Sequence, residues 1–453
     1  MSVIARPASK ANLDVRVFRR SRPEAPLTLA GPRNTHLLSL QIQKTMQQPV
    51  GGLSAELANV GPHQDWERQI ENGDLIHARV DGKLKMLGII NSVGAASTVG
   101  DKGQINNRVA IKAADFGILF TNFAQLIHDA TWGGERFNLG ATFALVFEAI
   151  HAAITMEGLR DGYNIKGLLQ LTWDKIMTAY SDVAAAMGQP LRFADGSDFK
   201  TMFGGARGAR LFETVSSAYD TRYPLLVHIP EEHKALWDLW TAAANMPFNE
   251  IWADTCYAGQ LVDTLDPLTT PVTAEGFRVI CRPNPWLGGR FADMADHEYP
   301  ASKITAVNAV KSAAEVKSLY LVYPASDQRN ANDMRATGNY AVDKRLFSIW
   351  GPGAQETALN FVDGSEDPIA AAAGLADLLQ EGYADIDSYW AGTLAGRYHD
   401  VRVGQKILFP RKLHYPTRLT AALAQSVTDK LDFSAGAPKL TTQVTFTRGV
   451  DYY

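Results

Sequence analysis

The sequence predicts an α+β protein with two small β-barrel domains and helical insertions. Three features point to this fold class: short segments in which apolar and polar residues alternate, turn signals between those segments, and other stretches with helical periodicity. At 453 residues the chain is too long for one ordinary core, so several domains are expected.

The first barrel domain is predicted over residues 35–120. Leu40 and Ile42 alternate with polar neighbours, as in a half-buried strand. Farther on, Leu75–Val80 and Lys83–Val93 flank Asp81-Gly82, a dipeptide typical of a tight hairpin. Short strands at this spacing favour a small closed barrel, which removes exposed sheet edges.

Two segments flank this domain. Residues 1–34 are predicted to form a basic N-terminal arm, either a solvated extension or one that docks on a neighbouring subunit. Residues 121–225 are predicted to form a mainly helical insertion. The basic residues of the arm are Arg6, Lys10, Arg16, Arg19, Arg20, Arg22 and Arg33.

The second barrel domain is predicted over residues 226–453, split by insertions and helices. A weak internal repeat supports a second barrel, because Gly73-Asp74-Leu75-Ile76 and Gly404-Gln405-Lys406-Ile407 each place a glycine and a polar residue before an apolar strand. Asp367-Pro368 is predicted to begin a helix that ends at Gly382.

The stretch from Pro230 to Trp286 predicts a helix followed by two strands. The helix begins at Pro230 and ends near Pro247, and Phe248–Asp254 and Phe277–Trp286 are the strands. Glu250 and Arg282 are interpreted either as a simple charge pair between these strands or as residues of a family motif, and the tryptophans are interpreted either as core residues or as motif residues.

Three pieces of this stretch resemble, in the same order, the central hub of tailed-bacteriophage baseplates: Trp-Asp-Leu-Trp, Pro-Phe-Asn-Glu and Cys-Arg-Pro-Asn-Pro-Trp. The segment from Trp66 to Ile90 is similar to the first tube-type domain of that family. Gly392–Ile407 is similar to part of the second, although Gln405 replaces the usual aspartate. The motif residues are Trp66, Gly73, Asp74, Gly82, Trp237, Trp240, Pro247, Glu250, Arg282, Pro283, Pro285 and Gly404.

The resemblance implies a structural virion protein rather than an enzyme. In that family a homotrimer joins the six-fold tail tube to the trimeric central spike, contacts the surrounding baseplate wedge proteins, and forms part of the DNA ejection channel. It implies assembly in the host cytoplasm and location in the tail baseplate. A contractile tail is favoured over a flexible one, and an injection device derived from a phage tail fits the same sequence features.

Composition agrees with a protein that does not hold nucleic acid tightly. The net charge is −4 and the isoelectric point is near 6.2, so DNA is expected to pass without specific binding. Cys256 and Cys281 lack metal-ligand spacing and are predicted to be buried free thiols. No secretory segment and no membrane anchor are predicted.

No catalytic, metal or cofactor site is predicted. The chain lacks a Gly-x-Ser-x-Gly elbow and a His-Glu-x-x-His motif, and Gly204–Arg210 lacks the lysine of a phosphate loop. Two alternatives stay open. Carboxylate pairs such as Glu366-Asp367 and Asp385/Asp387 leave a tail-associated cell-wall hydrolase possible, and exposed aromatic residues leave a host-glycan-binding tail module possible.

Overall fold

The computed structural model describes residues 12–31, 36–58, 65–99, 105–121, 169, 173, 224–226, 235–244, 246–263, 270–272, 274–313, 315–324, 340–359, 361–363, 368–411, 418–433 and 439–451. The fold class is α+β, as predicted, and strands dominate the described residues. No helix in these ranges is long and apolar enough to cross a membrane.

The main feature is one antiparallel sheet of eleven strands that contains both halves of the chain. Its strands are β1 (Leu13–Arg19), β2 (Arg22–Ala30), β3 (Leu37–Thr45), β4 (Gly52–Ala58), β5 (Leu75–Val80), β6 (Lys83–Val99), β7 (Ile105–Asp115), β14 (Ile304–Lys311), β19 (Trp390–Gly396), β22 (Ser426–Asp432) and β23 (Lys439–Phe446). Their order across the sheet is β14-β19-β23-β22-β3-β4-β7-β6-β5-β1-β2.

The remaining strands form small sheets around it. They are β8 (Pro224–Leu226), β9 (Asn249–Cys256), β10 (Leu261–Val262), β11 (Thr270–Pro271), β12 (Gly276–Pro283), β13 (Asp296–Glu298), β15 (Leu319–Pro324), β16 (Tyr340–Val342), β17 (Ala354–Leu359), β18 (Phe361–Asp363), β20 (Lys406–Leu408), β21 (Leu419–Leu423) and β24 (Gly449–Asp451). The α-helices are α1 (Trp66–Gln69), α2 (Leu236–Ala243), α3 (Lys344–Trp350) and α4 (Pro368–Tyr383), and 3-10 turns occupy Leu287–Asp293, Ala301–Lys303 and Ile386–Ser388.

The large sheet contains a structural repeat. Strands β3-β4-β7-β6 of the first half and β14-β19-β23-β22 of the second half are each arranged in the chain order first, second, fourth, third. The two four-stranded groups are joined because β22 pairs with β3. The fold therefore differs from two separately closed barrels, since one hydrogen-bonded sheet runs through both barrel-like units.

Each half curls around its own apolar core. The first core contains Val15, Leu40, Ile76 and Ile111, and the amide of His36 bonds the carbonyl of Leu29 at 2.8 Å, which brings the end of β2 back to the start of β3. The second core is built on residues such as Trp252, Leu394, Val444 and Phe446. A third core lies under α4 and the β15–β17 sheet, which form a unit inserted between β14 and β19.

The predicted basic arm is wrong for residues 13–30. These residues form β1 and β2, with Leu13, Val15 and Val17 buried and Arg16 outward. Arg16 lies on the solvent face of a strand whose other face is apolar, so the alternation decides the structure rather than the charge. Residues 1–11 and 32–35 lie outside the described residues, and so does most of the helical insertion predicted for 121–225. Within it, Leu169 and Trp173 are helical and buried.

Several local predictions are confirmed. Asp81 and Gly82, with φ of 50° and 80°, form the hairpin turn between β5 and β6. Both cysteines are buried thiols that form no disulfide with each other. The helix predicted to begin at Asp367-Pro368 is α4, although Asp367 itself is outside the described residues. The helix predicted from Pro230 is described only from Leu236, as α2.

Candidate functional site

Hydrogen bonds to the side-chain carboxylate and the backbone carbonyl of Asp74 fix the turn at Gly73 and Asp74. The buried Asp74 carboxylate accepts from the backbone amides of Glu71 and Arg20, each at 2.9 Å. The amide of Gly73 donates to Ile90 O at 2.7 Å, and Ile90 N donates to Asp74 O at 2.8 Å. This motif therefore sets the start of β5 against β6.

The turn at Gly404 and Gln405 has the same hydrogen-bond pattern in the second half. Gly404 N donates to Ala424 O at 2.7 Å, Ala424 N donates to Gln405 O at 2.9 Å, and Gln405 Oε1 accepts from Arg402 N at 2.9 Å. The glutamine thus replaces the aspartate of the first turn, because its longer side chain reaches the amide three residues earlier, as Asp74 reaches Glu71. The weak sequence repeat is a structural repeat.

Arg282 joins four parts of the second half. Its side chain is fully buried, and its Nε and Nη2 lie 2.9 and 2.8 Å from Glu250 Oε2. Its Nη1 donates to Gly404 O at 2.7 Å and to Asp263 O at 3.2 Å, and the guanidinium lies 4.8 Å from the Trp252 ring centroid. Glu250 and Arg282 are directly opposite each other in the register of β9 and β12, so they form a charge pair between neighbouring strands.

The motif tryptophans and prolines are core and strand-end residues in this structure. Trp66 is buried in the first core and its Nε1 donates to Ala58 O at 3.1 Å. Trp240 packs 6.3 Å from Trp237, centroid to centroid. Pro247, Pro283 and Pro285 lie at the ends of β9 and β12, and Pro247 O accepts from Asn284 Nδ2 at 2.7 Å.

The β5–β6 hairpin docks on the second half of the chain through partly exposed ion pairs. Arg79 makes a bidentate pair with Glu275, with nitrogen–oxygen distances of 2.8 and 2.5 Å. Lys83 lies 2.8 Å from Asp400 at the hairpin's tip. Because exposed pairs stabilise a protein by less than about 1 kcal/mol each, these contacts orient the hairpin more than they hold it.

Buried charges lie directly below the hairpin. Lys85 Nζ is 2.8 Å from Asp429 Oδ2, and both side chains are 3% exposed. Lys85 also donates to His399 O. Arg402 is buried as well, and its guanidinium donates to Leu84 O at 2.7 Å and to Thr255 O at 3.2 Å. These contacts bond β6 of the first half to β9, β22 and the 397–405 loop of the second.

A second buried pair lies nearby in the first half. Lys44 Nζ is 2.7 Å from Asp115 Oδ2 and 2.8 Å from Pro49 O. Gly51 is needed beside it, because a Cβ there would lie 2.6 Å from the Asp115 carboxylate. The buried network contains three basic side chains and three carboxyls, which are Lys44, Lys85, Arg402, Asp115, Asp254 and Asp429.

Burial perturbs several of these groups. Desolvation lowers the pKa of Lys85, against the attraction of Asp429. Desolvation raises the pKa of Asp115 and of Asp254, against the attraction of Lys44 and Arg402. Such shifts arise because a charge loses its hydration in the protein interior. The network is therefore a low-dielectric junction between the two halves.

The eight strands of the two repeated groups share one polar face. Along each strand, alternate residues point away from the cores and are exposed or half-buried. Basic and acidic side chains are interspersed on it: Arg108 is 3.6 Å from Glu56, and Lys439 is opposite Asp432. A groove of about 450 Å³ opens on this face above β3 and β4. The polar face includes Gln41, Gln43, Thr45, Ser54, Lys112, Thr393, Ser426, Thr428, Lys430, Thr441, Gln443 and Thr445.

The described sheet has free edges at defined places. Strand β14 pairs only with β19 among the described strands, and it carries no proline. Strand β5 pairs with β6 only as far as Ile89, so beyond Ile90 β6 has β7 as its one described neighbour. By contrast, the outer strand β2 carries Pro23 and Pro26, which block strand addition.

The carboxylate pairs considered for hydrolysis do not form a described catalytic cleft. Asp385 Oδ1 accepts from Asp387 N at 3.0 Å in the 3-10 turn, and Asp387 is ion-paired with Lys311. Glu366-Asp367 lies outside the described residues, as does Gly204–Arg210. The described residues contain no group of three possible metal ligands.

Comparisons with known proteins gave matches only among solved structures. No protein-family profile matches the sequence, and no curated protein matches it. The chain is similar to a tail protein from Neisseria meningitidis, with a TM-score of 0.48 and 12% identity over 96% of both chains. It is also similar to a 43 kDa tail protein of prophage MuSo2 from Shewanella oneidensis, with a TM-score of 0.45 and 8% identity over 97% of this chain and 99% of that one.

A third similar structure is a component of the Escherichia coli type VI secretion system. It is described as structurally similar to tail proteins of bacteriophage T4. Its TM-score is 0.38 with 7% identity, over 92% of this chain and 74% of that chain. The three similar structures are thus two tail proteins and one secretion-system component.

Sequence reasoning found the turn motifs but missed the junction and the edges. Lys85, Arg402 and Asp429 are single charged residues within otherwise ordinary strands and loops, and nothing in their neighbourhood marks them as buried partners. The sequence did indicate that the two halves are related, because the same turn motif occurs in both.

Proposed function

We propose that this protein is a structural hub of a phage tail baseplate, in which three copies form a ring between the six-fold tail tube and the trimeric central spike. The tube protein, the spike and the surrounding wedge proteins are its partners, and DNA passes through the ring during ejection. Assembly takes place in the host cytoplasm before the ring enters the virion tail, and the protein acts without catalysis.

The observation that carries the proposal is the rule by which the two repeats join. The third strand of the second repeat, β22, pairs with the first strand of the first repeat, β3. The same rule requires the third strand of the first repeat, β6, to pair with the first strand of a second repeat, β14. Among the described strands these two edges do not pair, and another copy of the chain would supply the edge that the rule requires.

A head-to-tail contact of this kind repeats from copy to copy and closes into a ring when the rotation allows. Three copies of two similar repeats give six pseudo-equivalent positions. Such a ring matches a six-fold tube on one side and a three-fold spike on the other. The number three comes from the family resemblance, and the direction of pairing comes from this chain.

The repeat also fixes the register of the contact. Ser92 corresponds to Ser426, since Ser92 pairs with Lys112 and Ser426 pairs with Thr445 at equivalent points. Asn308 corresponds to Gln41 by the same chain of pairings through Thr393 and Ser54. As Lys430 pairs with Gln41, Ala96 of one copy is expected opposite Asn308 of the next.

Cysteine cross-linking with measurement of assembly tests the proposal. Ala96→Cys and Asn308→Cys are introduced together, because residues directly opposite on paired strands bring Cβ atoms close to disulfide range. The native cysteines are buried and give little background. Oxidation is expected to give covalent dimers and then trimers, and light scattering with negative-stain imaging is expected to show a three-fold ring.

The matched control combines Ala96→Cys with Val307→Cys. Val307 is adjacent to Asn308 but packs against the second core, so its side chain points to the opposite face of the sheet from that of Asn308. A ladder that continues past three copies, or one that forms equally with Val307→Cys, argues against the closed ring. A protein that stays monomeric and uncross-linked at high concentration argues against edge pairing itself.

A further inference from the structure

Lys85 and Asp429 meet across the interior of the curled sheet. Three strands, β3, β4 and β7, lie between β22 and β6 in the sheet order, yet the Lys85 amine is 2.8 Å from the Asp429 carboxylate. Both side chains are 3% exposed, so water has almost no access to the contact. The contact ties the hairpin of the first half to the second half of the chain.

The surroundings favour a neutral, nucleophilic amine. Burial lowers the pKa of Lys85, which increases the share of the free, nucleophilic amine. The carboxyl is held still, because Thr442 Oγ1 donates to Asp429 Oδ1 at 2.7 Å. Well-oriented intramolecular reactions reach effective molarities of about 10⁵–10⁸ M.

A third carboxyl belongs to the same buried network. Asp254 is buried, desolvation raises the pKa of its carboxyl, and it acts electrostatically on Lys85. Its Oδ1 accepts from Thr255 N at 2.8 Å, which fixes its orientation.

We propose that Lys85 and Asp429 form an intramolecular amide bond that covalently joins the two halves of the chain. The Lys85 amine attacks Cγ of the Asp429 carboxyl, the Nζ–Cγ bond forms, and the Cγ–Oδ2 bond breaks. Oδ2 leaves as water with two protons that the amine and the carboxyl together release, and the reaction needs no oxidant or other reactant.

Intact-mass spectrometry of the denatured full chain tests this proposal. The wild-type protein is expected to be lighter than its sequence by one water molecule, and a digest is expected to contain one peptide pair joined through Lys85 and Asp429. Lys85→Met is expected to have its full sequence mass. Asp429→Asn is expected to form the same amide with loss of ammonia, an outcome that a merely structural ion pair does not produce.

Lys44→Met is the control, since it removes the amine of the other buried pair and leaves Lys85 in place. It is expected to keep the loss of one water. A wild-type mass equal to the sequence mass overturns the proposal. So does recovery of the full mass in Lys44→Met with the loss retained in Lys85→Met. The masses of both variants are compared with that of the wild-type chain, and these measurements do not depend on ring formation.

Discussion

At the scale of single residues, Gly404 shows why the motif needs a glycine. Its φ is 81°, and a Cβ there would lie 2.7 Å from Trp252 Cζ2, the ring on which Arg282 stacks. Its carbonyl also accepts from Arg282 at 2.7 Å. One position therefore carries a backbone requirement, a packing requirement and a hydrogen bond.

Gly404→Ala is expected to lower the thermal stability of the protein strongly. The substitution adds backbone strain of about 1–2 kcal/mol and a clash against a ring that cannot move without disturbing Arg282. Gly259→Ala is the matched control, because Gly259 has the same φ of 81° with no atom near its missing Cβ. Calorimetric melting of both variants separates the clash from the strain. Equal losses would show that packing against Trp252 contributes nothing.

At the scale of elements, the sequence was informative where structure is local. The Asp81-Gly82 turn and the strands β5 and β6 follow from turn chemistry and alternation. The paired strands β9 and β12 were visible as apolar runs, but their register was not. The prediction of a basic arm gave more weight to the charge of Arg16 and its neighbours than to the alternating apolar residues Val15 and Val17, which are fully buried.

The junction could not be predicted because its partners are far apart in the sequence. Arg402 bonds the carbonyl of Leu84, and Lys85 contacts Asp429, each across more than half of the chain. No local pattern distinguishes such a lysine or arginine from a solvated one. The pairing of β22 with β3 is equally non-local, because the two strands come from opposite ends of the chain.

The buried Arg402 is expected to contribute more to holding the β5–β6 hairpin than the surface ion pairs do. Arg402→Met removes the charge-assisted hydrogen bonds to the buried carbonyls of Leu84 and Thr255, at a cost of about 1.5–3 kcal/mol each. Arg79→Met breaks the pair with the half-exposed Glu275, at a cost of less than about 1 kcal/mol.

Hydrogen exchange of the hairpin amides, followed by mass spectrometry, distinguishes these contributions. Arg402→Met is expected to reduce protection of residues 75–89 by more than about tenfold, and Arg79→Met by only a few-fold. A larger effect of Arg79→Met would mean that the surface pairs hold the hairpin.

At the scale of the whole molecule, the two repeats and their shared sheet explain how one chain provides two similar edges and one continuous polar face. The cores fix the curvature and the buried junction holds the halves in one orientation, while the edges of β6 and β14 pair with no further described strand. Hydroxyl and amide side chains predominate on the described part of the polar face, which also carries cations such as Lys112 and Lys430. In the proposed ring, a channel lined by this face would offer DNA little electrostatic grip.

The proposed passage of DNA without binding predicts a gain of function on this face. Gln43→Lys, Ser54→Lys and Thr428→Lys together add three cations per chain to neighbouring strands of the polar face, and the assembled ring is expected to acquire salt-sensitive binding of linear DNA. The logarithm of the binding constant falls with the logarithm of salt concentration by about 0.9 for each phosphate contacted. The wild-type ring is expected to show no DNA binding at physiological salt in fluorescence anisotropy.

The control adds lysines at Ala354, Ala358 and Ser348, which are exposed on the inserted unit. Equal binding by the control would mean that net charge acts instead of the polar face, and tight binding by the wild type would contradict a non-adhesive channel.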